Sequence, residues 1–239
     1  MLTKTKGIVF RRIPYSETSV IVDIFTEEHG LMSYIISGVR KARARTSASL
    51  LEVMSIVDMV AYHSDKKKLH RIKEIRSAYV CQSIPFNVRK GAILLFMAEL
   101  CSKTIREPDQ NRNLYETIVR YIKKLDLLQS GYSDLHLEFM ISLADELGFG
   151  PTPNYSEEAR GFDMMGGEFV QNQPDTHFHY IPEAQNLAVL IEKSRGGNVE
   201  LQLTRESRSA LVDHLVDYFR IHIDNLREIN SHLILREVL

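Results

Sequence analysis

The chain reads as an α+β, multidomain protein: a small five-stranded β-barrel, then an all-α bundle carrying a short Gly-rich, β-like insert. Three observations predict this. Five strand-like segments crowd into residues 4–78, and after Pro85 the hydrophobic period changes from two to helical. The formal charge divides near the same place. Residues 1–80 hold 14 basic and eight acidic side chains, a balance of +6, whereas the other 159 hold 16 and 23, a balance of −7. A chain of 239 residues suits one large domain or two small ones, and we expect a barrel over 1–80 and a helical part over 81–239.

The strands are expected at 4–12, 18–26, 31–37, 53–63 and 69–78, all rich in Val, Ile, Tyr and Phe. In the second, Val20, Val22 and Ile24 face one way and Asp23 and Phe25 the other. In the fourth, apolar residues fall on both faces, so both look covered. Pro14-Tyr-Ser, Glu28-His-Gly and Ser64-Asp65 supply turn chemistry between them. So short a sheet hides its edges best by closing, either as an OB-type or as an SH3-like barrel; pattern alone does not choose.

Helical spacing follows. Residues 88–105 place Ile93, Phe96, Met97 and Leu100 on one stripe; 113–128 do so with Leu114, Ile118, Ile122 and Leu125. Residues 135–147 repeat it with Phe139, Met140, Leu143 and Leu147 and stop at Gly148, a natural C′ residue. A fourth helix is expected over 182–193. A fifth begins after Thr204, its N-cap, and runs through Leu211, Leu215, Tyr218 and Phe219; Gly196-Gly197 breaks the chain between the two. The segment 149–181 fits neither period. It is rich in Gly, Pro and Asn, long for a connection, and reads as a functional insertion or a small subdomain folded on the bundle.

Several function classes are excluded by absent motifs. There is no phosphate loop ending in Gly-Lys-Ser/Thr, no GxGxxG, no HExxH and no GxSxG, so nothing argues for an enzyme. No apolar run approaches the roughly 18 residues a membrane span needs. The N-terminus lacks a signal-like stretch, so a cytoplasmic location is expected. Cys81 and Cys101 form no CxxC and read as reduced thiols. His177 and His179 have a spacing that suits a metal, but no third ligand stands nearby, which makes them surface imidazoles.

The positive signal is basic. Arg40, Lys41, Arg43 and Arg45 fall within six residues of a connection after the third strand. They repel one another unless an anion neutralises them, and Arg is the better phosphate fork. Lys66, Lys67 and Lys68 sit at the turn between the fourth and fifth strands, and Arg11 and Arg12 end the first. In OB-type barrels, ligands gather on one face and on the loops joining strands 1–2 and 4–5, so these cations are expected to border one DNA-binding surface. Tyr34, Phe25 and Tyr62 are candidate base-stacking partners or core aromatics. Seven phosphate contacts at about −0.7 each give a salt slope of roughly −5 on single strands, so a fourfold rise in salt costs on the order of a thousandfold in affinity.

The stretch Tyr15-Ser-Glu-Thr-Ser-Val-Ile-Val-Asp-Ile-Phe-Thr-Glu-Glu-His-Gly30, with Ser37-Gly-Val-Arg-Lys41 and Leu50-Leu51, resembles the N-terminal barrel of the RecO family. Residues 226–239 are similar to that family's closing helix, so the resemblance spans nearly the whole chain. It implies an OB-fold followed by a helical domain, and a recombination mediator without nucleotide hydrolysis. It implies binding to single- and double-stranded DNA, annealing of complementary strands, and RecA loading together with RecR and the single-stranded DNA-binding protein. That protein's acidic, apolar tail calls for an apolar groove flanked by cations, for which Lys103, Arg106, Arg120, Lys123 and Lys124 are available. One departure concerns the insert. Many members carry a four-cysteine zinc module there, whereas this insert has no Cys, so we expect no cofactor and an insert held by Phe162, Met164, Phe169 and Phe178.

Two readings compete with DNA binding. An RNA-binding OB protein would share the charge and the stacking, and competition between DNA and RNA of equal length separates the two. A barrel that serves only as a protein-interaction module predicts negligible nucleic-acid affinity.

Overall fold

The structure is a computed structural model that describes residues 1–39, 48–64, 67–106, 108–171, 180–181 and 184–239. They form two compact units, 1–127 and 128–239.

In the first unit, β1 (Leu2–Pro14), β2 (Ser19–Thr26), β3 (Gly30–Ser37), β4 (Ile56–Tyr62) and β5 (Leu69–Tyr79) close into a barrel of order β1-β2-β3-β5-β4. Every neighbouring pair is antiparallel except β3 and β5, which are parallel. This is the OB-type Greek-key order, and it decides the choice between barrels that the pattern left open. The register partners of Ile13 run through Ile21, Ile35, Arg71 and Tyr62 and return to β1 at Leu2, 11 residues upstream. Such a stagger tilts the strands and lets five of them enclose a filled interior. The interior holds Val9, Val20, Val22, Ile24, Tyr34, Ile36, Val57, Met59, Ala61 and Ile72, which are the inward positions that alternation predicts.

Strand ends differ from expectation for local reasons. β1 is longer at both ends because its first half pairs with β4 and its second with β2, with a bulge between Val9 and Arg11. β4 starts at Ile56 rather than Val53, because Met54 takes a φ of 66° and turns the chain. Gly7 lies where Ile24 crosses β1: a Cβ there would stand 2.3 Å from the Ile24 Cγ2. The rings of His29, His63 and His70 stack at 4.2 and 4.6 Å, which ties the base of the β4–β5 loop to the β2–β3 turn.

Two helices complete this unit, α1 (Val88–Thr104) and α2 (Arg112–Leu127), each burying its predicted stripe. Asn87 caps α1, its side chain accepting from the backbone N–H of Arg89 and Lys90. α2 covers part of the barrel's outer face, where Phe25 lies between Phe10 and Tyr115. Gly30, at φ 63°, is where the β2–β3 turn meets the backbone of Pro108–Asp109. A buried polar joint ties β5 to both helices. The Asp126 carboxylate accepts from the backbone N–H of Gln82, Ser83 and Ile84 and from the Tyr79 hydroxyl at 2.8 Å. The Lys90 ammonium donates to Ser83 Oγ at 2.6 Å and to the Asp126 carbonyl at 3.0 Å. Cys81 is half-buried and Cys101 buried, and both are free. Burial, then the nearby Asp126, pushes the Cys81 thiol up to about 11, so it is a poor nucleophile.

The second unit is organised around α3 (Leu135–Glu146), in which every residue from Leu135 to Ala144 is buried. The expected one-sided stripe was too narrow, since the helix is enclosed nearly all round, with His136, Glu138 and Ser142 buried beside its apolar residues. Leu147 is its half-buried C-cap. α4 (Gln185–Ser194) and α5 (Arg205–His222) pack on α3, and α6 (Ser231–Val238) packs on α5. The closing helix is therefore shorter than 226–239, because Asn225 at φ 52° and the segment before Ser231 are not helical. Thr204 caps α5 as expected, accepting from the Ser207 N–H at 3.1 Å.

The Gly-rich insert is a three-stranded sheet, β6 (Gly161–Asp163), β7 (Glu168–Val170) and β8 (Tyr180–Ile181), in the order β7-β6-β8. Phe162, Met164 and Phe169 are buried in it; Phe178, His177 and His179 lie outside the described residues. An aromatic cluster fixes it to α5. Phe162 packs against Tyr218, Phe149 sits edge-on to Phe219, and the Tyr218 hydroxyl donates to the Phe149 carbonyl at 2.6 Å.

Candidate nucleic-acid interface

The two units differ in charge more sharply than the sequence split suggested. Residues 1–127 carry 22 basic and 13 acidic side chains, a balance of +9, against eight and 18, a balance of −10, in 128–239. α1 and α2 thus join the basic part, and a polyanion is drawn to the first unit and repelled by the second.

Within the first unit the charge gathers at the seam of the barrel. The parallel pairing of β3 with β5 covers only Ser33–Ile35 with Leu69–Arg71. Past it an open cleft of about 680 Å³ is lined by the ends of both strands and by the β4–β5 loop. Lys67, Arg71, Lys73 and Tyr62 border this cleft, with Ile36, Ile72 and Ile75 as its apolar part. Lys67, Lys68, Arg71 and Lys73 are all exposed, and among the described residues no carboxylate lines the cleft. Among the described residues, only Lys73 of these four has an ion-pair partner, Glu74 at a loose 3.6 Å. Arg71 and Lys73 were not singled out from sequence. Strand alternation could have found them, because His70 and Ile72 point inward and leave 71 and 73 outside.

Arg40, Lys41, Arg43, Arg45 and Lys66 lie outside the described residues. Arg11 and Arg12 do not share a surface. Arg11 stands on the outer face, its Nε 2.7 Å from Asp23 Oδ2, and Asp23 also accepts from Ser33 Oγ at 2.6 Å. Arg12 pairs in register with the inward Val22 and borders a different, mainly apolar cleft lined by Leu50, Val53, Phe86 and Leu95. Of the three candidate stacking residues, Tyr34 and Phe25 are core, each 1% exposed, whereas Tyr62 is 51% exposed. On the helices, Lys103 pairs with Glu99 at 2.6 Å and Arg106 bonds the Lys103 carbonyl. Arg120, Lys123 and Lys124 are exposed along α2, with Lys123 5.3 Å from the Tyr79 ring. Among the described residues, no group of three or more His, Cys, Asp or Glu is placed to hold a metal ion.

Barrel order and cationic seam together define an OB-fold protein with a helical second part. The chain matches the family models described as "Recombination protein O N terminal" over residues 1–80 and "Recombination protein O C terminal" over 86–228. It is 31% identical to the DNA repair protein RecO of Azobacteroides pseudotrichonymphae, over all of this chain and 99% of that protein. It is 30% identical to the DNA repair protein RecO of Bacteroides fragilis and 29% to that of Phocaeicola vulgatus, with the same coverage. The chain belongs to the RecO family.

Proposed function

We propose that this chain is a DNA repair protein, a recombination mediator that binds single- and double-stranded DNA on its basic barrel and catalyses no chemistry of its own. The observation that carries this reading is the cationic seam, where Lys67, Arg71 and Lys73 line a cleft with no carboxylate among its described residues and the exposed Lys68 follows Lys67 in the loop. Charge neutralisation there lowers the repulsion between two backbones brought together, which is the barrier to annealing complementary strands. In this reading Arg40, Lys41, Arg43 and Arg45 supply further cations for the DNA backbone. Family membership supports the rest of the assignment: cooperation with RecR, engagement of the single-stranded DNA-binding protein and assistance to RecA loading in the cytoplasm, at the nucleoid. No helix among the described residues is long and apolar enough to cross a membrane.

Annealing of two complementary labelled oligonucleotides, followed by energy transfer, tests the reading. Wild type should accelerate it and Lys67/Lys68/Arg71/Lys73→Ala should not. Equal acceleration by both proteins would remove the seam from the mechanism.

The reading includes an insert that needs no zinc. Tyr155, Ser156 and Glu158 stand where the family's thiolates are expected, and these residues do not fit a structural zinc site. Aromatic packing on α5 serves in its place. Elemental analysis of the purified protein should find no stoichiometric zinc; one equivalent per chain would defeat this part.

A further inference from the structure

We propose that the seam cleft is a stacking subsite for an unpaired nucleobase, with Tyr62 as its platform, and that this subsite makes the barrel favour single strands over duplex. The proposal rests on the nucleic-acid reading above and deepens it. Tyr62 ends β4, directly after the inward Ala61, so its ring stands on the outer face. Its register partner on β5 is Arg71, and directly opposed antiparallel residues set their side chains side by side. Arg71 and Ile35 are in turn the last partners of the β3–β5 pairing, so the ring lies where the two strands cease to pair.

Each component of a nucleotide finds its match there. The base meets the exposed Tyr62 ring and the half-buried Ile75, over a floor where the buried Ile36 and Ile72 reach the cleft, while the flanking phosphates meet Lys67, Arg71 and Lys73. A volume of about 680 Å³ accommodates a nucleotide. Stacking on an aromatic ring is indifferent to sequence, because every base has a π-face. A paired base is different: its neighbours in the duplex cover both of its faces, so it reaches the rim cations and never the ring. Duplex binding is therefore purely ionic at this site, and single-strand binding adds the stack.

The test measures affinity of the full chain for three probes of equal length: a thymidine homopolymer, the same backbone without bases, and a duplex. Tyr62→Ala should weaken the thymidine oligomer by about tenfold and leave the abasic oligomer and the duplex unchanged. Tyr62→Phe should keep the wild-type pattern. Loss of equal size on all three probes, or on none, would overturn the subsite. A measurement free of folding effects is photocrosslinking of an iododeoxyuridine oligomer to wild-type protein; the adduct should map to Tyr62, and its absence there also overturns the proposal. Lys67/Arg71/Lys73→Ala keeps the two failures apart. Unchanged binding of all three probes by that variant rejects the barrel-surface reading itself, whereas loss on all three with an inert Tyr62 rejects only the stack.

Discussion

Asp126 and Lys90 look in the sequence like ordinary helix-end charges, yet both are buried. Their burial follows from a task that no periodicity displays. Asp126 terminates the orphan N–H groups of Gln82, Ser83 and Ile84 where the chain leaves the barrel, and Lys90 satisfies the oxygens left over. Removing one member leaves the other uncompensated, so Asp126→Ala should lower stability by about 3–5 kcal/mol, read as the shift in a urea unfolding curve. Burial alone would raise the Asp126 carboxyl, but the three N–H donors and the Tyr79 hydroxyl hold it well below the usual carboxylate range. Its stabilising effect is present above the ordinary Asp value and is lost on acidification below it. His136 acts in the same direction at milder pH. Burial first, and then the Arg208 guanidinium, push its imidazole down from 6.5 to about 3. The unfolded chain therefore takes up a proton that the folded chain refuses, and stability falls as pH drops from about 6.5 towards 4. His136→Gln, which cannot titrate, should flatten the dependence between pH 6.5 and 4.5; an unchanged slope would contradict this assignment.

Among the elements, strands and amphipathic helices were the legible part. Val20, Val22 and Ile24 point inward as alternation requires, and Ile93, Phe96, Met97 and Leu100 are fully buried on α1. The β3–β5 seam was not legible, because a parallel pair between distant strands leaves no local trace, and the cleft is a consequence of that pair's shortness. The Lys66–Lys68 run marks the loop, while Arg71 and Lys73 are visible only once β5 has a face. The insert was half legible: its aromatic anchors could be named, but their partners Tyr218 and Phe219 sit on α5, far along the chain. Two element-level predictions follow from these contacts. Asn87→Ala, which removes the α1 cap, should cost about 1 kcal/mol in thermal or urea unfolding. Phe162→Ala should cost about 3–5 kcal/mol, with the loss of hydrogen-exchange protection concentrated in β6 and β7.

The whole molecule combines a +9 unit and a −10 unit in a chain of net charge −1. With a net charge so close to zero the protein gains nothing from bulk charge, so in the proposed function attraction for DNA comes from where the cations are placed. In the proposed function the barrel carries this task because it joins an OB-type face to exposed cations at its open seam. The measurement that tests this most directly is the salt dependence of single-stranded DNA binding by fluorescence anisotropy. It compares wild type with Arg40/Lys41/Arg43/Arg45→Ala and with Lys67/Lys68/Arg71/Lys73→Ala. A log–log slope of roughly −5 for wild type, reduced by about 2–3 in each variant, is the predicted result. A slope near zero, or one that neither variant changes, would contradict the assignment of DNA to the barrel.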